Sequence, residues 1–327
     1  MLNGLISLLP VFAFLAALVF LDSYKLVNFR SILLTILVGC AMTIPPFLFS
    51  GVVLGVLHIG SGIYSLYGGP IVEELCKALY MIYLMRQKRV GFGVDAAIYG
   101  FSIGAGFSLV ENIYYLESLP GQHILLWVAR GLGTAVMHGG STALFALITK
   151  SLSDRGGLKV RTMIPGLAAA IVMHSFYNHF LLSPLVPTAL LLALFPVIFQ
   201  QSEKTTRKWL GVGLDTDLQL LDIITSGDIA QTRIGDYFRT LQQQFRSEII
   251  VDMICLVRLH TELAIRAKGL LMMRSRGFNP PSGPELPEKF AELKYLQKSI
   301  GKTGQLALAP LLHMSSRDLW QIHMLRG

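Results

Sequence analysis

The feature that most constrains this chain is a run of apolar windows, each about as long as the roughly 20 helical residues needed to cross a bilayer's hydrocarbon layer. Seven fall at about residues 4–22, 31–57, 70–86, 95–116, 124–149, 161–182 and 185–201. Every backbone amide and carbonyl inside hydrocarbon must be paired within the chain, and at this window length a helix does that. The expected fold is all-α: a multi-pass membrane bundle of about seven spans over 1–202, followed by a helical domain over 203–327. Composition agrees, with 53% apolar residues, 15% charged and a mean hydropathy of +0.56. The first window has no Lys or Arg before it and basic residues after it, the reverse of a secretory signal, and reads as a retained span.

Alternate connections between windows differ sharply in Lys and Arg. One set holds twelve, from Lys25 and Arg30 through Lys204, Arg207 and Lys208, and the other holds none. This asymmetry places the N-terminus outside and the C-terminal part in the cytoplasm. Residues 1–202 contain 11 Lys and Arg against 7 Asp and Glu, so the excess positive charge is shared between the two parts. No concentrated basic patch of the kind nucleic acid requires is present. Cys40, Cys76 and Cys255 form no C-x-x-C pair and read as buried, reduced and inert.

In the C-terminal part, Phe238, Leu241, Phe245, Ile249, Met253 and Leu256 recur at three- and four-residue steps, an amphipathic helical stripe. The Gly- and Pro-rich stretch 277–284 predicts a loop, with another helix over about 287–300. The segment reads as a small helical bundle, regulatory or recruiting by its position, and nothing in it identifies a cytoplasmic partner.

Charged groups within the spans narrow the function. Each costs about 2.5–3.5 kcal/mol at the bilayer centre, so they must satisfy one another or line a wet cavity. The third span holds Glu73, Glu74 and Lys77. The fourth holds Glu111 and Asn112, the fifth Arg130 and His138, and the sixth His174, Asn178 and His179. Glu73 and Lys77 are four apart on one face, with Glu74 turned by about 100° toward another neighbour, so one glutamate is tethered and the other free. By this spacing Glu73 is the one nearer the lysine. His174 and Asn178 also share a face and could offer two donors to an oxyanion. A carboxylate in such a pocket can take a proton from water. Water between a glutamate and that pair would attack an amide without a covalent intermediate. Arg130 reads as a partner for a glutamate, Phe107 as packing, and His58 and His179 as interfacial or loop histidines.

These motifs resemble those of the PrsW-type glutamic intramembrane proteases, within the wider group that includes the CAAX prenyl endopeptidases. The match runs through Glu73-Glu74-Leu75-Cys76-Lys77, Phe107-x-x-x-Glu111-Asn112, the Arg130 and His138 pair, and His174-x-x-x-Asn178, over roughly residues 65–182. The resemblance implies that Glu73 and Glu74 are the catalytic carboxylates, with Glu73 as base, although the residues alone leave open which glutamate serves. His174 and Asn178 would stabilise the oxyanion, and Lys77, Glu111, Asn112, Arg130 and His138 would support them. It implies an integral protein of a bacterial cell membrane, no cofactor or metal, and a membrane-anchored protein substrate such as a single-span anti-sigma factor. Phe-x-x-x-Glu-Asn in place of Phe-x-x-x-His argues against prenylated C-termini as substrate. A proton- or cation-coupled transporter and a zinc hydrolase using His138, His174 and a glutamate are the alternatives. The chain has no inverted repeat to favour the first and no His-Glu-x-x-His helix to favour the second.

Overall fold

A computed structural model describes residues 12–325, apart from 14, 18, 21, 23, 25, 57, 59, 119–123, 180, 182–184, 279, 281, 282 and 313–315. The described residues are all-helical, without strands. The chain divides into two compact units, Met1–Glu203 and Lys204–Gly327. The helices of the first unit are α1 (Phe29–Ala41), α2 (Ile44–Val56), α3 (Gly69–Arg86), α4 (Gly93–Ser118), α5 (Ile124–Gly156) and α6 (Val160–Asn178), and α7 (Leu185–Thr225) begins there. Among the described residues, three stretches are long and apolar enough to cross a membrane: Phe29–Val56, Gly93–Tyr115 and Gly131–Gly156. The expected window at 4–22 lies mostly outside the described residues. α3 carries Glu73, Glu74 and Lys77 within its 18 residues, which lowers its hydropathy.

The window at 31–57, read as one span, bends at Met42 and Thr43 between α1 and α2. Pro45 and Pro46 lack the amide hydrogens that would bond the carbonyls of residues 41 and 42. Both fit the first turn of α2, where an amide would be unpaired anyway. Asn28 caps α1, its side-chain oxygen accepting from the Ser31 amide at 2.7 Å.

α4 is the centre of the first unit. Ala96, Ala97, Ile98, Phe101, Ile103 and Ala105 are all buried, as expected of a helix apolar on every side. Two glycines allow close approach: a Cβ on Gly104 would overlap the His138 carbonyl of α5, and one on Gly106 would overlap the Ile36 carbonyl of α1. Asp95 fixes the start of α4 by accepting from the amides of Gly91, Phe92 and Ala96 at 2.6, 2.7 and 3.1 Å. Large apolar side chains such as Phe47, Leu79 and Val172 face outward, a surface suited to lipid.

A π-helical turn, Tyr64–Gly68, leads into α3. The Gly69 amide bonds the Tyr64 carbonyl, five residues back, and Pro70 follows with no amide hydrogen. Pro70 thereby denies the Leu66 carbonyl its four-residue partner and the Ser65 carbonyl its five-residue partner. α6 supplies them: Asn178 Nδ2 donates to the Ser65 carbonyl at 3.0 Å and Ser175 Oγ to the Leu66 carbonyl at 2.6 Å. Next to them, His179 Nε2 and the Tyr67 hydroxyl are 3.0 Å apart.

The second unit packs α8 (Arg233–Gln242), α9 (Ser247–Ser275), α10 (Leu286–Leu308) and α11 (Ser316–Met324) around Phe238, Met253, Leu256, Leu263, Leu293 and Leu308. The apolar stripe from Phe238 to Leu256 is not one helix, because the chain turns between Gln243 and Arg246, and α9 extends far past it. α10 continues beyond the expected end at 300 because Gly301, at φ +65°, takes a left-handed kink that side-chain-bearing residues rarely adopt. All three cysteines are unpaired and half-buried rather than fully enclosed, and Cys40 Sγ donates to the Gly106 carbonyl.

Candidate active site

α3, α4, α5 and α6 each bring a polar side chain to one cluster. α3 turns Glu74, Lys77, Ala78, Met81 and Leu84 into the protein, while Leu75, Leu79 and Tyr83 face out. Glu74 and Lys77 are buried with the apolar residues of that face and have to find partners there. Lys77 Nζ donates to Glu74 Oε1 at 2.6 Å. The same carboxylate oxygen accepts from Ser141 Oγ at 2.9 Å and from His174 Nδ1 at 2.9 Å. Glu74 is only 1% exposed, and its charge is met by donors from three helices.

The spacing placed Glu73 nearer the lysine, whereas the structure pairs Lys77 with Glu74. Three- and four-residue steps both bring helical side chains together. Burial decides between them, because Glu74 shares the inward face with Lys77 and Glu73 stands at its edge. The Glu73 side chain is 24% exposed and has no hydrogen bond among those seen in the described residues. Its Oε2 lies 3.8 Å from His174 Nε2 and 4.0 Å from His138 Nδ1, separations wide enough for a small ligand to bridge.

The bonding pattern assigns the histidine protons. A lysine ammonium only donates and a carboxylate only accepts. Lys77 Nζ lies 2.8 Å from His138 Nδ1, so that nitrogen accepts, and the ring proton sits on Nε2, 2.5 Å from Glu111 Oε2. His174 donates from Nδ1 to Glu74, which turns the lone pair of its Nε2 toward Glu73. The two imidazoles meet edge to face with centroids 4.8 Å apart, and the Phe107 ring packs on His138 at 4.9 Å. Glu111 is 28% exposed, so it and Glu73 are the members of the cluster with access to solvent.

Of the residues singled out in the sequence, Glu73, Glu74, Lys77, Glu111, His138 and His174 come together. Asn178 does not join them, since its amide is committed to the Ser65 carbonyl. Asn112 is buried beside Glu111. The Arg130 side chain lies outside the described residues. Ser141 was missed. It stands one helical turn from His138, which was the available signal, but serine three residues from a histidine is too common a spacing to stand out.

An all-helical bundle with apolar membrane-length stretches and a buried carboxylate, imidazole and ammonium cluster defines a multi-pass membrane protein with the groups to activate water. The chain belongs to the PrsW family: a model described as "PrsW family intramembrane metalloprotease" matches residues 28–200. It is accordingly a protease of the intramembrane kind. Comparisons with curated proteins and with solved structures returned no match.

That family description raises the question of a metal. Glu73, His138 and His174 offer ligand atoms that all lie within 4.8 Å of one another, and two imidazoles with a carboxylate are an ordinary zinc donor set. His174 also has its other nitrogen on a carboxylate, as metal-bound histidines commonly do. His138 fails the test. Its Nδ1, the nitrogen nearest Glu73, already accepts from the Lys77 ammonium, so neither its lone pair nor the charge at that point suits a cation. As arranged, these residues do not fit a metal.

Proposed function

We propose that the chain is an intramembrane endopeptidase that hydrolyses a peptide bond of a membrane-anchored protein through a water activated by Glu73. The observation that carries this reading is the gap between Glu73 Oε2 and His174 Nε2, 3.8 Å wide and lined by two acceptors. A water there donates one hydrogen to each and presents its own lone pair to a scissile carbonyl. As the oxygen–carbon bond forms, Glu73 takes the proton. His174, whose Nδ1–H is held by Glu74, accepts the second water proton on Nε2 and passes it to the amide nitrogen as the carbon–nitrogen bond breaks, and Glu73 returns to its ionised form by giving its proton to the released amine. The Glu74 charge stabilises the transient imidazolium, the role a buried carboxylate plays behind a catalytic histidine.

Ser141 and Lys77 keep Glu74 oriented, and Glu111 holds His138. Asn178 and Ser175 act one step back, fastening the π-turn from which α3 departs. A donor role for Asn178 toward an oxyanion would require it to leave the Ser65 carbonyl.

In this reading the substrate is a single-span regulator such as an anti-sigma factor, cut near the external face, and residues 203–327 form a cytoplasmic domain that regulates or recruits. The test compares membrane-protein fragments from cells carrying the wild type or Glu73→Gln. Fragments present only with the wild type identify clients, and identical fragment sets reject the site.

A further inference from the structure

The Lys77 side chain is fully buried, and its nitrogen meets three groups of the cluster. An ammonium has three N–H groups. One meets Glu74 Oε1 at 2.6 Å and one meets His138 Nδ1 at 2.8 Å, and the nitrogen stands 4.6 Å from the centroid of the Phe107 ring, whose face attracts a cation. This is the coordination a bound cation would receive, built from a carboxylate, an imidazole lone pair and a π-face.

The consequence concerns the neighbouring gap. Glu73 Oε2, His138 Nδ1 and His174 Nε2 would surround a metal ion if the His138 lone pair were free. With ligand bonds of about 2.1 Å, such an ion would lie within about 5 Å of the Lys77 nitrogen. The two positive centres would compete for the same lone pair and repel each other.

We propose that the Lys77 ammonium stands in for a divalent cation: it holds His138 in its Nε2–H form and keeps metal out, and without it Glu73, His138 and His174 constitute a metal site. Lys77 is thus a positioning residue, acting through His138 and Glu74. The proposal rests on Glu73, His138 and His174 forming the reactive centre. Its test reads metal binding rather than proteolysis, so the two readings fail separately.

The experiment is a Co2+ titration of the full chain in detergent, followed by the visible d–d absorption of the ion. Wild type should develop no tetrahedral bands. Lys77→Met, with circular dichroism confirming its helical content, should take up one equivalent, with an affinity on the order of 100-fold or more above wild type once the like charge is removed. Adding Glu73→Gln to that variant should abolish the bands. Stoichiometric tetrahedral Co2+ in the wild type, or its absence from folded Lys77→Met, would overturn the proposal. Should Lys77→Met not fold, Lys77→Gln, which keeps a donor toward Glu74 without the charge, takes its place with the same expected uptake and the same overturning result.

Discussion

Exchanging each adjacent glutamate for glutamine separates the two roles that burial gives them. Glu74→Gln keeps the shape but removes the charge that meets Lys77 Nζ at 2.6 Å, Ser141 Oγ at 2.9 Å and His174 Nδ1 at 2.9 Å, all of them buried contacts. Removing one partner of a buried ion pair costs about 3–5 kcal/mol, because the other charge stays behind uncompensated. That is a large share of a domain's typical net stability of about 5–15 kcal/mol. Glu73→Gln breaks no hydrogen bond seen among the described residues and leaves a side chain that is 24% exposed, so its effect on stability should stay within about 1 kcal/mol. Loss of a general base, by contrast, lowers the rate by about 10²–10⁴-fold. Thermal unfolding of the purified variants, together with release of a tagged fragment from a client membrane protein, measures both quantities. Glu74→Gln should unfold well below wild type, and Glu73→Gln should match wild type in unfolding while failing to cleave. Equal destabilisation of the two variants, or cleavage by Glu73→Gln, would refute the assignment.

Ser141→Ala removes one donor to a buried carboxylate and should cost about 1.5–3 kcal/mol in unfolding, with cleavage lowered but not abolished. Gly104→Ala forces a methyl group against the His138 carbonyl; helix separation should cost about 1–3 kcal/mol and lower turnover by shifting His138, read from the same two assays. Asn178→Ala strands the Ser65 carbonyl that Pro70 has deprived of an amide, costing about 1 kcal/mol, and limited proteolysis should cut sooner near the π-turn. Asn178→Asp should be worse, since a carboxylate offers that carbonyl no donor. Chelators should leave client cleavage by the wild type unchanged, whereas loss of cleavage that zinc restores would show that a metal displaces Lys77 from His138.

Much of the fold was legible because hydrocarbon permits so few backbone conformations. Long apolar windows meant helices, and charged residues within them had to converge, as Glu74, Lys77, Glu111, His138 and His174 do. The bend before Pro45 and Pro46 was also written in the sequence, but a window average smooths over two prolines in an otherwise apolar stretch. Gly301 hid for the opposite reason, since one glycine within a helical pattern reads as tolerated until its φ is known.

What the sequence could not supply was the choice between neighbours. Lys77 stands three residues from Glu74 and four from Glu73, and a helix brings both within reach, so local geometry leaves the pairing degenerate. The degeneracy is broken by Ser141 and His174, which lie 67 and 100 residues away and both hydrogen-bond to Glu74. His174 and Asn178 likewise share a helical face, yet one turns into the cluster and the other to a carbonyl that Pro70 left open. Residue types and their spacing decided which groups this protein owns. Long-range packing decided which of them are consumed in holding the cluster together and which carboxylate is left without a hydrogen bond among the described residues, because a buried charge takes whichever partners the fold brings within hydrogen-bond distance.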